Sequence, residues 1–444
     1  MALMVSISGV RGIVGEALTP QVALEFARAY GTFLGGGRVV LGRDSRPSGE
    51  MFTAAAAAGL LAAGCAVTHL GVVMTPTVGL AIRAGRYDGG VVITASHNPP
   101  AWNGLKFLDN QGLGPDPAQA DEIAAIREQG RYANLRSGFQ PTAQDEEAGE
   151  RHVEAVLAAL EVDTTPLKSL RVVLDSVNGA GGLHSPALLT ALGCEVIHLN
   201  GEPTGDFAHP AEPLAENLTG LCQVVRETKA AIGFAQDPDG DRLAIVDENG
   251  RYIGEEYTLA LAAESVLSRR PGPVANNLGS SRLVDDVAER YGTTVIRTAV
   301  GESNVARAML ANDCVIGGEG NGGVIDPRIC PVRDSLSGMS LVLQLMAATG
   351  KTIGRLVADL PRYAMIKQKF ECPRERIDAA VEAVAKAFAD RHPNRSDGVR
   401  VDLDKAWVLL RASNTEPIVR ISAEAADEAT ATALIQQVRA AAGL

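Results

Sequence analysis

The chain has 444 residues, of which 46% are hydrophobic and 21% charged, and its formal net charge at pH 7 is −12. This length predicts several domains, and the composition is typical of a globular protein with a large core. A general nucleic-acid binder needs a basic surface, so the acidic balance argues against a nucleic-acid partner. It does not argue against a local basic pocket for a phosphorylated metabolite.

The cysteines and the apolar segments indicate in which cellular compartment the protein is expected. The six cysteines are scattered and form no CxxC pair, so neither a zinc site nor a redox motif is indicated. The N-terminus has no basic region followed by an apolar stretch, and we expect no signal peptide. The uncharged segment 51–74 is rich in alanine and glycine and predicts a buried helix and a strand rather than a membrane span. We therefore expect a cytoplasmic protein with no membrane partner.

Strand-like and helix-like segments alternate in three stretches, which begin near Arg38, Leu170 and Thr293. In each stretch a helical segment lies between two runs rich in Val, Ile and Leu, and this alternation predicts parallel or mixed sheets covered by helices. The polar segment Arg136–Arg151 predicts a linker. The three stretches share no obvious sequence identity, so any repeat is one of architecture.

The pattern changes after Ile366. A strand-like run, an amphipathic helix at 376–391, two further strand-like runs and a helix at 429–442 follow one another, which predicts a small α+β unit. Four domains therefore suit the pattern better than three. We predict their bounds as 1–150, 151–254, 255–365 and 366–444.

A polar tripeptide follows a β-branched run in the first predicted domain. Val91–Thr94 is typical of a buried strand, and the two prolines at positions 99 and 100 must end it. Ser96, His97 and Asn98 therefore lie on a loop at the carboxyl end of a strand, where open α/β sheets bind their ligands. A polar turn without a function explains this segment alone equally well.

Three aspartates alternate in the segment QDPDGDR. In an extended loop Asp237, Asp239 and Asp241 would face the same side, and their mutual repulsion favours a hard divalent cation bound by oxygens. A solvated acidic turn is the alternative. An EF-hand is excluded, because its glycine position holds Arg242 and the following run, Leu243–Val246, is typical of a strand. An arginine beside three carboxylates also suggests an anion next to the metal.

Two further segments carry polar groups suited to a phosphorylated sugar. The glycine-rich segment GGEGNGG presents Glu319 and Asn321, which suit sugar hydroxyls, although a plain glycine turn is as consistent with it. The segment RASNTEPIVR offers a phosphate cradle, or else an ordinary turn flanked by surface arginines. The residues of this cradle are Arg411, Ser413, Asn414, Thr415 and Arg420.

Taken together, in this order and with this spacing, the motifs resemble the α-D-phosphohexomutase family over essentially the whole chain. The resembling loops are TASHNP, DPDGDR, GEGNGG and RASNTEP, with GVRG, GRDSR, NGLK and EPLAEN as secondary matches. The resemblance implies an α/β protein with four domains around a central cleft. Three of them are α/β units of similar topology, and the fourth is a smaller C-terminal α+β domain.

The resemblance also implies a phosphoserine mechanism that uses Mg²⁺. Ser96 would carry a phosphoryl group, and the metal would be held by that group and by Asp237, Asp239 and Asp241. The phosphoryl group would pass to the free hydroxyl of a hexose monophosphate. The resulting sugar 1,6-bisphosphate, which also serves as activator, would turn over in the cleft and return its other phosphate to the serine.

Further roles follow from the resemblance. Arg242 would support the phosphoserine, and His97 and Asn98 would orient its loop. Because neighbours on an extended chain point apart, we do not expect the serine and His97 to act as a nucleophile–base pair. Arg11 and Lys106 match positions used for general acid/base assistance. Charge stabilisation suits Arg11 better, since the pKa of arginine is so high.

The sugar is less clearly indicated than the reaction. Glu319 is expected to bind two adjacent hydroxyls. Family members acting on glucose or mannose phosphates carry a serine and a histidine where this chain has Asn321 and Gly323. We favour glucosamine phosphate, and the alternative is a phosphoglucomutase/phosphomannomutase. Two other classes remain, a phosphosugar-binding protein without catalysis and a metal-dependent phosphatase. We expect a monomer or a homodimer.

Overall fold

The computed structural model describes residues 3–6, 9–134, 137–138, 140–413 and 417–444, which form four β-sheets with flanking helices. The sheets follow one another along the chain, and the parts of the chain that contain them are called units 1 to 4. Among the described residues, no helix is both long and apolar enough to cross a membrane.

Unit 1 contains a seven-stranded sheet. Its strands are β1 (Met4–Ser6), β2 (Gly9–Ile13), β3 (Gly37–Arg43), β4 (Cys65–Val72), β5 (Gly89–Ile93), β6 (Trp102–Asp109) and β7 (Ala143–Gln144). Its helices are α1 (Pro20–Leu34), α2 (Gly49–Ala62), α3 (Thr75–Gly85) and α4 (Pro117–Glu128). Local sequence sets the bounds of α1, because Thr19 accepts a hydrogen bond from the Val22 amide at its start and Gly35 ends it in the left-handed conformation.

Unit 2 contains a four-stranded sheet. Its strands are β8 (Arg171–Asp175), β9 (Glu195–Leu199), β10 (Ile232–Gln236) and β11 (Leu243–Val246), and its helices are α5 (Ala148–Ala158), α6 (Gly181–Ala191) and α7 (Thr219–Thr228). The linker predicted at 136–151 was wrong at its end, where α5 begins. Ala148, His152 and Val156 are buried at helical spacing, so this polar segment still presents one face to the interior.

Units 3 and 4 complete the chain. The strands of unit 3 are β12 (Val274–Asn277), β13 (Val295–Thr298), β14 (Ile316–Glu319) and β15 (Gly323–Ile325). Its helices are α8 (Glu255–Leu267), α9 (Leu283–Arg290), α10 (Glu302–Ala311), α11 (Ser335–Thr349) and α12 (Ile353–Ala358). Unit 4 has an antiparallel sheet of β16 (Ala364–Glu371), β17 (Val399–Leu403), β18 (Ala406–Ala412) and β19 (Ile418–Ala425), covered by α13 (Arg374–Ala387) and α14 (Glu428–Ala442).

Units 1, 2 and 3 share one strand order. Numbered along the chain within each unit, four strands lie in the order 2-1-3-4, as β4-β3-β5-β6, β9-β8-β10-β11 and β13-β12-β14-β15. The first three strands of each set are parallel and the fourth is antiparallel. The predicted repeat of architecture is confirmed. The turn between the third and fourth strands is consequently equivalent in the three units.

The hydrophobic core is continuous between units 2 and 3 and separate in unit 4. The largest buried cluster includes Phe234 of unit 2 together with Leu259 and Leu341 of unit 3. Unit 4 has its own cluster between its sheet and helices. It meets unit 3 through a small apolar contact made by Leu278, Trp407 and Leu409. Unit 4 therefore does not share the core of units 2 and 3.

Candidate active site

The three equivalent turns carry the three sequence motifs. The turn between β5 and β6 carries Ser96, the turn between β10 and β11 carries the three aspartates, and the third follows Glu319 at the end of β14. Ser96 Oγ donates to Asp237 Oδ2 at 3.0 Å. Arg333 bonds to both Asp241 and Glu319 at 2.6 Å. Motifs that are far apart in sequence therefore contact one another directly.

The serine turn is held by a buried arginine. Ser96 adopts a φ of 51°, a left-handed conformation that serine rarely takes. Arg46 Nη2 donates to the carbonyl oxygens of Ser96 and Asn98 at 2.9 and 2.5 Å, and its guanidinium pairs with Asp44. Thr94 Oγ1 accepts from the Ser96 amide at 2.9 Å. These bonds fix the backbone that presents the serine hydroxyl.

The left-handed turn brings Ser96 and His97 together. Our expectation that the two side chains point apart was wrong, because the chain is not extended here and Ser96 Oγ lies 3.3 Å from His97 Nδ1. Burial, assisted by the charge of Arg242, lowers the pKa of His97 to about 3. The imidazole is therefore neutral near pH 7 and can hydrogen-bond with the serine hydroxyl.

The aspartates meet through a tight turn. The Asp237 carbonyl accepts from the Gly240 amide at 3.1 Å, and Gly240 adopts a φ of 68°. Asp237 Oδ1 accepts from the amides of Asp241 and Arg242, each at 3.0 Å. The extended loop that we predicted was wrong, but the predicted convergence is present. One oxygen from each of the three carboxylates lies within 4.8 Å of the others.

The three carboxylates differ in their electrostatic surroundings. Burial raises the pKa of Asp237, and the neighbouring Asp241 and Asp239 raise it further. Burial also opposes ionisation of Asp241, but Arg333 and Lys106 outweigh it and hold the pKa well below its usual range. Asp239 is likewise buried, and the pKa-raising effects of burial and of Asp241 are outweighed by Lys106, which lowers its pKa.

The acidic cluster fits a hard divalent cation. Asp239 Oδ1 and Asp241 Oδ1 are buried and have no hydrogen-bond partner among the described residues. A buried carboxylate oxygen without a partner is costly, and a cation that prefers oxygen ligands would satisfy both atoms. Asp237, Asp239 and Asp241 could therefore hold a metal ion together.

The basic residues predicted for catalysis surround this cluster. Lys106 Nζ donates to Asp239 at 2.6 Å and to Asp241 at 3.1 Å. Burial alone would lower the pKa of Lys106, but these carboxylates raise it above its ordinary value. Burial lowers the pKa of Arg11 against the opposing charge of the same aspartates. Arg242 Nη1 donates to Glu212 Oε1 at 2.9 Å, at the secondary motif EPLAEN.

The sugar loop is organised by Arg333, which the sequence analysis did not identify. Glu319 Oε1 accepts from Asn277 Nδ2 at 2.8 Å, and its Oε2 accepts from Arg333 Nη1 and, at 3.5 Å, from Asn321 Nδ2. A Cβ on Gly323 would lie 2.2 Å from Arg333 Cδ. Arg333 therefore fills the space that a side chain at position 323 would need, and it supplies a donor to Glu319.

A cavity of about 340 Å³ lies between units 3 and 4. It is lined on one side by Glu319 and Asn321 and on the other by Arg411 and Arg420. The two arginines face each other across the pairing of β18 with β19. Ser413 lies at the turn after β18, where its amide donates to the Ile418 carbonyl at 3.0 Å. Asn414 and Thr415 lie outside the described residues.

Several residues of the site carried only a weak signal in the sequence. Arg46 belongs to the secondary motif GRDSR. The motif matched the family but did not predict that Arg46 contacts the serine turn. Arg333 stands before the Asp334 cap of α11, and nothing in its neighbourhood sets it apart from a surface arginine. Its role depends on contacts with two other turns, which only the folded chain defines.

Four domain families together match almost the whole chain. Residues 4–134, 150–250 and 254–363 match the α/β/α domains I, II and III of phosphoglucomutase/phosphomannomutase. Residues 365–441 match its C-terminal domain. The four matches follow the order of units 1 to 4.

Whole-chain comparisons agree with the domain matches. A probable phosphoglucosamine mutase from Methanopyrus kandleri is 40% identical over 432 residues, which are 96% of this chain and 95% of that protein. A phosphoglucomutase/phosphomannomutase from Thermococcus kodakarensis is 40% identical over 95% of this chain and 94% of its own length. The crystal structure of a family protein from Burkholderia thailandensis superposes with a TM-score of 0.87 at 28% identity and covers 99% of this chain and 98% of its own. The chain therefore belongs to the phosphoglucomutase/phosphomannomutase family.

Proposed function

We propose that the protein is a phosphohexomutase that moves a phosphoryl group between the 6- and 1-positions of a hexose phosphate. The observation that carries this proposal is the buried contact of 3.0 Å between Ser96 Oγ and Asp237 Oδ2. It supports a nucleophilic serine beside a metal-binding carboxylate cluster. The cavity between units 3 and 4 supports a separate place for the sugar and its phosphate. An isomerase of this kind is an intramolecular phosphotransferase.

Phosphoryl transfer needs positioning and charge neutralisation more than covalent chemistry from the protein. Asp237, Asp239 and Asp241, with a phosphate on Ser96, would hold Mg²⁺, which would offset the negative charge of the transferred group. The Ser96 backbone, bonded to Arg46, would keep the hydroxyl oxygen aimed at the cluster. Neutral His97 would orient that oxygen, and Arg242 would contact the phosphoserine.

Lys106 and Arg11 would act at the hydroxyl that receives the phosphoryl group. Both are cationic in the surroundings described above, so they can stabilise the negative charge that develops on that oxygen. Neither is suited to remove a proton while it is cationic. We therefore assign both to charge stabilisation, and the proton of the receiving hydroxyl would pass, by way of a phosphoryl oxygen, to Ser96 Oγ as its bond to phosphorus breaks.

The cavity between units 3 and 4 would bind the sugar and the phosphate that is not being transferred. Glu319 and Asn321 would read hydroxyls, and Arg411 and Arg420 would hold the phosphate, with Ser413, Asn414 and Thr415 as further expected donors. A sugar 1,6-bisphosphate would act as intermediate and activator. The free cysteines among the described residues suit a reducing compartment, and we propose a cytoplasmic monomer or homodimer.

We propose glucosamine 6-phosphate and glucosamine 1-phosphate as the preferred pair. The name of the Methanopyrus relative supports this choice, whereas that of the Thermococcus relative supports glucose and mannose phosphates. A coupled assay with Mg²⁺ and a catalytic amount of sugar bisphosphate would compare the two by kcat/KM. We expect a preference of about tenfold or more for the amino sugar, equivalent to roughly 1.4 kcal/mol of transition-state discrimination.

The same assay tests the proposed mechanism. Ser96→Ala is expected to abolish turnover while leaving the circular dichroism spectrum unchanged, because it removes only the nucleophilic oxygen. Full turnover in this variant would overturn the mechanism. Release of inorganic phosphate at the rate of sugar turnover would instead identify a phosphatase.

A further inference from the structure

The cavity between units 3 and 4 contains a second carboxylate in addition to Glu319. Glu256, in the first turn of α8, lines this cavity together with Glu319, Asn321 and Arg411. It packs directly beneath the sugar loop, because a Cβ on Gly320 would lie 2.0 Å from Glu256 Oε2. This carboxylate is therefore beside the loop that reads the sugar.

The two carboxyl oxygens of Glu256 differ in their hydrogen bonds. Oε2 accepts from the Ser281 amide at 2.9 Å. Oε1 is buried and has no hydrogen-bond partner among the described residues. Burial raises the pKa of Glu256 to about 8, against the lowering influence of Lys367. The carboxyl is therefore largely protonated near pH 7, and a cation placed at Oε1 would favour its ionised form.

Three cationic side chains of this region are engaged with other carboxylates. Lys367 Nζ donates to Glu255 Oε1 at 2.9 Å. Arg333 pairs with Glu319 and Asp241, and Arg411 pairs with Asp397 at 3.2 Å. Glu319 thus has a cationic partner within the protein, whereas Glu256 faces the same cavity with a free acceptor. Lys369 and Arg420 also line the cavity, so what is missing is local, namely a donor that reaches Glu256 Oε1 from the described residues.

We propose that Glu256 is the residue that selects an amino sugar, by pairing its Oε1 with the ammonium group on C2 of the hexose phosphate. This inference rests on the proposed function and deepens it. An ammonium group at Oε1 would favour the ionised carboxylate, with the carboxyl proton released to solvent, whereas a hydroxyl at the same carbon brings only a dipole. Charge-assisted hydrogen bonds are stronger than neutral ones, so the carboxylate discriminates between the two substituents.

Glu256→Gln tests the proposal with little change in shape. Glutamine can still accept from the Ser281 amide, and it replaces a carboxyl that is largely protonated near pH 7, so we do not expect the fold to be destabilised. We expect kcat/KM for glucosamine 6-phosphate to fall about tenfold or more, while that for glucose 1-phosphate changes by less than about threefold. Glu264→Gln, the same change on the same helix away from the cavity, is the matched control.

A binding measurement gives a second readout. In the Ser96→Ala background, calorimetry would compare glucosamine 6-phosphate with glucose 6-phosphate, with and without Glu256→Gln. Weaker binding of the amino sugar alone supports the pairing. Equal losses for both sugars would assign Glu256 a purely structural role and overturn the inference.

The outcomes also separate this inference from the proposed function. If the wild-type enzyme prefers the amino sugar and the Glu256→Gln variant keeps that preference, only the proposed role of Glu256 is overturned. A wild-type mutase without that preference overturns the sugar assignment and the role of Glu256 together. Absence of any mutase activity overturns the proposed function itself.

Discussion

Ser96 combines a functional side chain with a strained backbone. Its positive φ places it in a region that costs an L-residue about 1–2 kcal/mol, whereas glycine enters it freely. The buried bonds from Arg46 and Thr94 offset that cost. The position of the hydroxyl therefore depends on the turn as well as on the serine.

This strain can be measured by comparing two inactive variants. Ser96→Ala and Ser96→Gly lose the same hydroxyl contacts, so their difference reports the backbone alone. We expect the glycine variant to be more stable by about 1 kcal/mol. Thermal unfolding of the two proteins is the measurement, and a lower melting temperature for the glycine variant would contradict the strained turn.

Arg333 connects the aspartate turn to the sugar loop. Its guanidinium bonds to Asp241 and Glu319, and its amide donates to Glu302 Oε1 at 2.7 Å. Removing one partner of a buried ion pair costs about 3–5 kcal/mol, because the remaining charges stay buried. We expect Arg333→Met to lower the melting temperature by several degrees in the absence of divalent cations.

Addition of Mg²⁺ should restore part of that loss, since a bound cation would compensate Asp241. Arg328→Met serves as the control, because Arg328 pairs with Asp326 away from the cluster. An Arg333→Met protein as stable as the wild type would show that these carboxylates do not need the arginine.

At the scale of the elements, the segment after β9 links unit 2 to the site. His209 Nε2 lies 3.1 Å from Asp175 Oδ2 at the end of β8, and Glu212, three residues later, accepts from Arg242. Burial opposes protonation of His209, but Asp175 outweighs it and raises the pKa of His209 above the ordinary value of 6.5. The contact is therefore strongest when the imidazole is charged.

This contact should make stability depend on pH. A group whose pKa is raised on folding contributes fully below its unfolded pKa, and the contribution is lost as pH rises through the folded pKa. We expect His209→Gln to be less stable than the wild type by about 1 kcal/mol near pH 6, with the difference shrinking towards pH 9. Melting temperatures across this range test the expectation, and a difference independent of pH would contradict it.

The elements also show how far sequence reasoning extends. The strand at Leu243–Val246 was predicted with the bounds that the structure has, because its apolar run stands between a proline–glycine turn and polar residues. The helix α5 was missed, since its buried face consists of Ala148, His152 and Val156 in a polar segment. Strand β17 was also missed, because charged residues alternate with its buried valines.

The site was predicted as residue types but not as geometry. The extended loop assumed for the aspartates gave the correct convergence for a wrong reason, since a turn centred on Gly240 produces it. The contact between Ser96 and His97 depends on one backbone dihedral angle. Arg333 bonds to Asp241 of unit 2, and Glu256 packs against Gly320, which lies far along the chain. Sequence spacing does not predict such contacts.

At the scale of the whole molecule, unit 4 is attached to unit 3 by one small apolar cluster around Trp407 and by single hydrogen bonds. These bonds join the Arg282 amide to Glu424, the Val300 amide to Asp397, Arg400 to the Leu278 carbonyl, and Lys367 to Glu255. Small interfaces within a chain permit relative motion. Since the proposed phosphate contacts lie on this unit, it is suited to close over a substrate.

Small-angle scattering can detect this closure. We expect the radius of gyration to decrease when a saturating hexose phosphate is added, because its phosphate would draw the arginines of unit 4 towards unit 3. The corresponding sugar without phosphate, at the same concentration, is the control and should leave the profile unchanged. An unchanged profile with the phosphorylated sugar would contradict a mobile fourth unit.

Gly323 and Arg333 constrain how this protein can change by mutation. A side chain at position 323 and the arginine cannot occupy the same space, while loss of the arginine alone leaves Glu319 without its cationic partner and Asp241 with Lys106 alone. The two positions are therefore epistatic. Replacing Gly323 is harmful while Arg333 is present, and replacing Arg333 is harmful while Gly323 is present. A mutational scan that alters one position at a time would score both as intolerant, and only a library that exchanges them together would reach sugar loops with a histidine.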